Sequence, residues 1–178
     1  MALFECHITV PIDYMHKDNM MWKSTFFDNY STVKNELILV DSEQIITSEM
    51  REHSDYNAAL LFFMNYFEKL KFFTKPIRFK IETPLEKRFG KSLYFESHYK
   101  IKNIASQKHL IKIFPLLFSL NNKKHSWWCS LRNDSMYQLK DMHHTIMNDY
   151  HDYFIETEIE SVILDTNIEK DYKWMGLS

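Results

Sequence analysis

The sequence predicts an α/β (α+β) fold built from two similar halves, each running strand-helix-strand-helix-strand around a concave central cleft. Three observations carry this expectation. Short alternating runs of apolar and polar residues interleave with longer stretches of helical period. The order of these elements repeats about halfway along the 178 residues. The first strands of the two halves also share residues, Phe4-Glu5-Cys6-His7 against Phe95-Glu96-Ser97-His98.

Residues 3–10 read as a strand, with Phe4, Cys6, Ile8 and Val10 on one face and Glu5, His7 and Thr9 on the other; Pro11 stops it. Residues 18–31 read as a short helix around Trp22, Phe26 and Phe27, and residues 36–40 as a short apolar strand. Ser54 or Asp55 caps the next helix, whose Tyr56, Leu60, Phe63, Phe67 and Leu70 recur at helical spacing. Pro76 marks its exit, residues 77–82 form another strand, and a turn containing Gly90 follows.

In the second half, residues 93–101 alternate like the first strand. Leu110, Ile113 and Leu117 predict a helix that Pro115 bends or ends. Residues 125–131 make a strand containing Trp127 and Trp128. Asp134 caps a long helix bearing Leu139, Met142, Ile146 and Tyr150, and residues 155–164 form the last strand. A second local match joins the halves: Lys80-Ile81-Glu82-Thr83 lines up with Glu158-Ile159-Glu160-Ser161. The chain is expected to be one domain, with lobe one about 1–88, lobe two about 89–165 and a polar tail over 166–178.

Composition narrows the function classes. Hydrophobic residues make up 45% and aromatics 16%, enough for a substantial core, while a net charge of -2 gives no reason to expect long nucleic acids as partners. Glycine occurs only at Gly90 and Gly176, which excludes a P-loop and a dinucleotide fingerprint. Any phosphate must therefore be held by side chains. Cys6 and Cys129 are expected as two small buried thiols, and no zinc-type spacing occurs. The N-terminus lacks a signal peptide's basic start and apolar stretch, and no apolar run approaches a membrane span. A soluble, cytoplasmic monomer without a membrane partner is the expectation.

The chemistry centres on His7 and His98. Alternation turns each away from its apolar neighbours, so each half projects Glu-x-His-x-(Thr or Lys) from one surface: Glu5, His7, Thr9 and Glu96, His98, Lys100. A lone histidine on a strand is ordinarily structural. Two in repeated contexts predict one shared site, in which a neutral imidazole removes a proton and a protonated one supplies a proton to a leaving oxygen. Thr9 can donate to a phosphoryl oxygen, and Lys100 can offset charge developing there. Glu5 and Glu96 can orient the histidines or raise their pKa. The scheme needs no metal and no cofactor.

His7-Ile8-Thr9-Val10 resembles the His-x-Thr-apolar motif of the two-histidine (2H, LigT-like) phosphoesterase superfamily. The second motif, His98-Tyr99-Lys100-Ile101, differs in carrying Lys in place of Thr or Ser. The resemblance implies a bilobal duplicated fold and metal-independent cleavage of cyclic phosphates, 2′,5′ linkages or related RNA ends. It makes His7 and His98 the catalytic pair and Thr9 and Lys100 substrate ligands. A small nucleotide or RNA end is then the substrate, with cyclic or 2′,5′-linked nucleotide signals as a subclass that some viral members degrade. Low glycine with abundant Lys, Ile and Asn is compatible with an AT-rich viral genome, for which the location would be host cytoplasm. The Lys100 departure keeps a nucleotide-sequestering module as the alternative.

Other residues receive weaker expectations. His143-His144-Thr145-Ile146 matches the motif literally, but it lies in a helix and is set aside. Arg132 is a further phosphate ligand or a surface arginine, and Arg78 and Lys80 are less strongly expected in the cleft. Of Trp127 and Trp128, one is expected in the core and the other lining the cleft, where it can stack a nucleobase. Glu156, Glu158 and Glu160 are expected on a solvated or cleft-rim face.

Overall fold

Alternation in β1 (Ala2–Pro11) divides the fold into an outer apolar layer and an inner polar one. Phe4, Cys6 and Ile8 are fully buried against Ala59, Phe63 and Tyr66 of α1 (Tyr56–Leu70), together with Phe79 and Ile81 of β4 (Arg78–Pro84). The computed structural model describes residues 1–11, 36–40, 44–71, 75–87, 91–103, 110, 117–121 and 126–167. Between β1 and α1 run β2 (Glu36–Val40) and β3 (Gln44–His53). The second half contains β5 (Tyr94–Ile101), β6 (Leu117–Asn121), β7 (Ser126–Asn133), α2 (Met136–Tyr150) and β8 (Phe154–Asp165).

These strands form one α+β architecture, an antiparallel sheet closed into a barrel in the order β1-β3-β2-β6-β7-β5-β8-β4. The first half contributes the order β4-β1-β3-β2 and the second β8-β5-β7-β6, joined by β4–β8 and β2–β6 pairing. A second core lies on the outer side of the second half. There Phe95, Tyr99 and Ile101 of β5 and Cys129 and Leu131 of β7 pack with Leu139 and Ile146 of α2. Both cysteines are free and buried in these outer layers, as expected.

Each helix starts where a side chain satisfies its first free N–H. The Asp55 carboxylate accepts from the Ala58 N–H at 2.9 Å. Ser135, and not Asp134, caps α2, its hydroxyl accepting from the Gln138 N–H at 3.4 Å. Asn133 explains the one-residue shift, because its side-chain oxygen accepts the Ser135 N–H at 2.7 Å and fixes the turn there. Among the described residues no helix is long and apolar enough to cross a membrane.

The structure corrects three expectations. Each half holds four strands, with β3 and β6 additional to the three expected in each. Leu117 opens β6 and so does not continue a helix from Leu110; the expected helix over 18–31 and most of the one beginning near Leu110 fall outside the described residues, as do Gly90 and the tail beyond 167. The sheet closes into a barrel and is not an open concave surface, since its two end pairs bond to each other. Closure leaves alternate residues facing a shared interior.

Phe63 is 0% exposed between α1 and the outer face of β1 and β4. Phe63→Ala is expected to destabilise the protein by about 3–5 kcal/mol, read as a lower midpoint in urea denaturation at unchanged slope.

Candidate functional site

The inward positions follow from register. Thr9, His7 and Glu5 of β1 lie opposite Arg78, Lys80 and Glu82 of β4. On β5, Glu96, His98 and Lys100 lie opposite Arg132, Ser130 and Trp128 of β7 on one side and Glu160, Glu158 and Glu156 of β8 on the other. Since Phe4, Cys6, Ile8, Phe95, Tyr99, Cys129 and Leu131 all pack beneath helices, these polar rows face inward. All five residues singled out in sequence, His7, Thr9, His98, Lys100 and Arg132, therefore stand on the interior face.

The two histidines converge through Glu82. His7 Nε2 is 2.6 Å from a Glu82 carboxylate oxygen and 3.7 Å from Glu5. Glu82 also lies beside His98 and Glu160, with one potential ligand atom from each of the three within 4.8 Å of the others. His98 Nε2 is 3.3 Å from both Glu96 and Glu160, while its Nδ1 shares a 2.6 Å hydrogen bond with the Ser130 hydroxyl. Lys80 crosses between the halves, pairing with Glu82 on its own strand and with Glu96 at 2.6 Å.

Beside this cluster, the Arg78 guanidinium donates to Asp165 at 3.0 and 2.6 Å and to the Tyr94 hydroxyl at 3.2 Å. Arg132 lies over the Tyr94 ring at 3.6 Å and 3.9 Å from Asp134, inside the barrel wall and not on a plain surface. Thr9 is 1% exposed. Exposure rises along β8 from Glu160, at 7% of its side chain, to Glu156 at 56%, which marks the mouth of the interior. Lys100 stands there, 3.4 Å from Glu156 and 5.5 Å above the Trp128 ring. Trp128 thus lines the interior.

Electrostatics favour the charged form of both imidazoles. Burial works to lower the His7 pKa, but the Glu82 and Glu5 carboxylates outweigh it and leave it raised. At His98 burial acts the same way, yet contacts with Glu160 and Glu96 hold the imidazole well above its usual range. Burial and the Glu82 charge push the Glu160 carboxyl up to about 8 against the opposing pull of His98. Burial raises Glu5 and Glu158 too. Glu82 moves the other way: burial opposes its charge, but Lys80 and His7 hold it well below the usual carboxylate range.

Sequence reasoning did not single out Glu82 or Glu160, and it placed Glu156, Glu158 and Glu160 at a rim. Glu160 is in fact 6% exposed, within reach of His98. A usable signal was present, because Glu82 and Glu160 occupy the same place in the two matching segments. His143 lies on the outer side of β5, its Nδ1 within hydrogen-bond distance of Ser97 Oγ (2.8 Å) and the Tyr99 hydroxyl (2.9 Å), away from His7 and His98.

No protein-family model matches the chain, and no curated protein does. Solved structures resemble it weakly. A heme-binding protein from Thermus thermophilus is 8% identical with a TM-score of 0.36, covering 98% of this chain and 95% of its own. A presumed chlorite dismutase is 7% identical with a TM-score of 0.36, covering 99% of each chain. A presumed monooxygenase from Lactobacillus acidophilus is 9% identical with a TM-score of 0.32, covering 92% of this chain and 94% of its own. At this level of likeness they carry no argument for fold or chemistry.

A group with a raised folded pKa contributes most below its unfolded value and loses that contribution as pH rises through the folded value. For Glu160 the window runs from 4.5 to about 8, and for His7 and His98 it starts at 6.5. Glu82 and Glu96, held low, are already ionised across that range. Melting temperature is therefore expected to fall from pH 5.5 to pH 8, and Glu160→Gln to make the fall shallower. An equal or steeper fall in the variant would contradict the assignment.

Proposed function

We propose that this chain is a phosphodiesterase of the two-histidine kind, acting on a small nucleotide or RNA end inside the barrel. One observation carries the reading: His7 and His98, at equivalent places on the first strands of the two halves, converge on the single carboxylate of Glu82. The matching strand order of the halves favours a duplicated bilobal 2H architecture as the frame.

His98 acts as general acid. Glu96 and Glu160 keep its proton in place, and its Nδ1 is anchored by Ser130. His7, raised less, acts as base once its proton has been lost, and accepts a proton from water or a ribose hydroxyl. Substrate enters at the mouth, where Trp128 offers a stacking face and Lys100 a cation for phosphate. The Lys100–Glu156 pair does not prevent this, because such an exposed pair is worth only about 0–1 kcal/mol. Breaking it for a phosphate costs little.

The alternative, nucleotide capture without cleavage, also draws on an observation. Flanking carboxylates raise the pKa of both imidazoles, which favours two acids over an acid–base pair.

A panel of 2′,3′-cyclic phosphates, cyclic nucleotides and 2′,5′-linked dinucleotides, assayed in EDTA, separates these readings. His7→Ala and His98→Ala are each expected to lower turnover about 10²–10⁴-fold, while His143→Ala leaves it unchanged. Turnover indifferent to both histidines would overturn the proposal; tight binding without product would establish the capture module. In the enzyme, kcat/KM should rise with pH as His7 loses its proton, placing the acid limb above the 6.5 of a free imidazole.

A further inference from the structure

We propose that the barrel interior binds a divalent transition-metal cation at the triads Glu5–His7–Glu82 and Glu82–His98–Glu160, with Glu82 the shared ligand. This inference rests on the interior geometry and not on the nucleotide reading. Within each triad, one donor atom per residue lies within 4.8 Å of the others, close enough for a single ion to draw them together.

The orientation of His98 is the first support. Its Nδ1 is engaged with the Ser130 hydroxyl at 2.6 Å. With Nδ1 fixed there, Nε2 is presented to Glu96 and Glu160, each 3.3 Å away, and a cation can take the place of its proton. A ring fixed through one nitrogen and presenting the other to carboxylates is how metal-ligating histidines are held.

Glu82 supplies the second, independent support. Its side chain is 1% exposed, and its two oxygens face His7 Nε2 at 2.6 Å and the Lys80 ammonium in contacts that are close but poorly aligned as hydrogen bonds. Lys80 engages the other oxygen, Oε1, which leaves Oε2 toward the imidazole. Buried donors crowded together without directed hydrogen bonds carry a cost that a cation removes.

The donor set selects the class of ion. Imidazole nitrogen mixed with carboxylate oxygen suits manganese, iron, cobalt or zinc, whereas calcium and magnesium take oxygen ligands. Thiolate does not enter, because Cys6 and Cys129 lie in the outer cores. A cation in either triad occupies that triad's imidazole and removes it from proton transfer, so metal occupancy and acid–base turnover exclude one another.

The test uses the full chain freed of metal by chelator, titrated with manganese chloride and followed by loss of the free Mn²⁺ paramagnetic resonance signal. Wild type is expected to bind saturably. Glu82→Gln and His98→Ala should each weaken binding at least about tenfold, and Ser130→Ala about 10–100-fold, with His143→Ala unchanged. Circular dichroism confirms that each variant is folded, and Glu160→Gln replaces any that is not. Absence of saturable binding by wild type at millimolar Mn²⁺, or binding undiminished in the folded triad variants, overturns the site. Mn²⁺ binding by a chain that, in EDTA, turns over none of the nucleotide panel would overturn only the phosphodiesterase reading, and turnover in EDTA without Mn²⁺ binding only this one.

Discussion

The Lys80 ammonium is the contact on which the interior depends. It is buried inside a closed barrel, paired with Glu82 on its own strand and with Glu96 on the first strand of the other half. Placing an ammonium there costs several kcal/mol, which the close Glu82 charge and a directed hydrogen bond to Glu96 offset. Burial works to lower the Lys80 pKa, yet Glu82 and Glu96 outweigh it and hold the lysine well above its usual value. The same two carboxylates touch the histidines. Positions and charges of His7 and His98 therefore follow from how Lys80 is satisfied.

This interior is tolerated because packing is done elsewhere. Each half has its own apolar core on the outer side of the sheet, beneath α1 in one case and α2 in the other. A strand has two faces, and here one face carries the stability while the other is free for charge. Arg78 shows the same economy at another point of the interior, where Asp165 and Tyr94 satisfy it without an apolar neighbour having to.

The catalytic and the metal-binding readings grow from one physical fact: two imidazoles and several carboxylates share a volume too small for all to keep their ordinary charge states. Protons relieve the crowding in one way, seen in Glu160 held up near 8 by burial and the Glu82 charge. A cation relieves it in another. Burying such charges together is costly, and that cost points to a functional role for the cluster.

Much of this was legible in the residue order. Alternation in Phe4-Glu5-Cys6-His7 and Phe95-Glu96-Ser97-His98 assigns each histidine to the face opposite its apolar neighbours, and pattern alone suffices for that because a strand's side chains alternate with period two. The long helices were equally clear, since Tyr56, Leu60, Phe63 and Phe67 or Leu139 and Ile146 recur at helical spacing. β3 was not, because Ser48-Glu49-Met50-Arg51-Glu52 shows no clean apolar face, and β6 was hidden by Leu117 falling in step with Ile113. The residue order alone therefore assigns His7, His98, Thr9 and Lys100 to one face. It could not reveal that Glu82 lies beside both histidines or that Glu160 reaches His98, because both depend on long-range pairing of β4 and β5 with β8 and on the register shift at Ile81/Glu82. Local periodicity carries no information about which strand becomes whose neighbour.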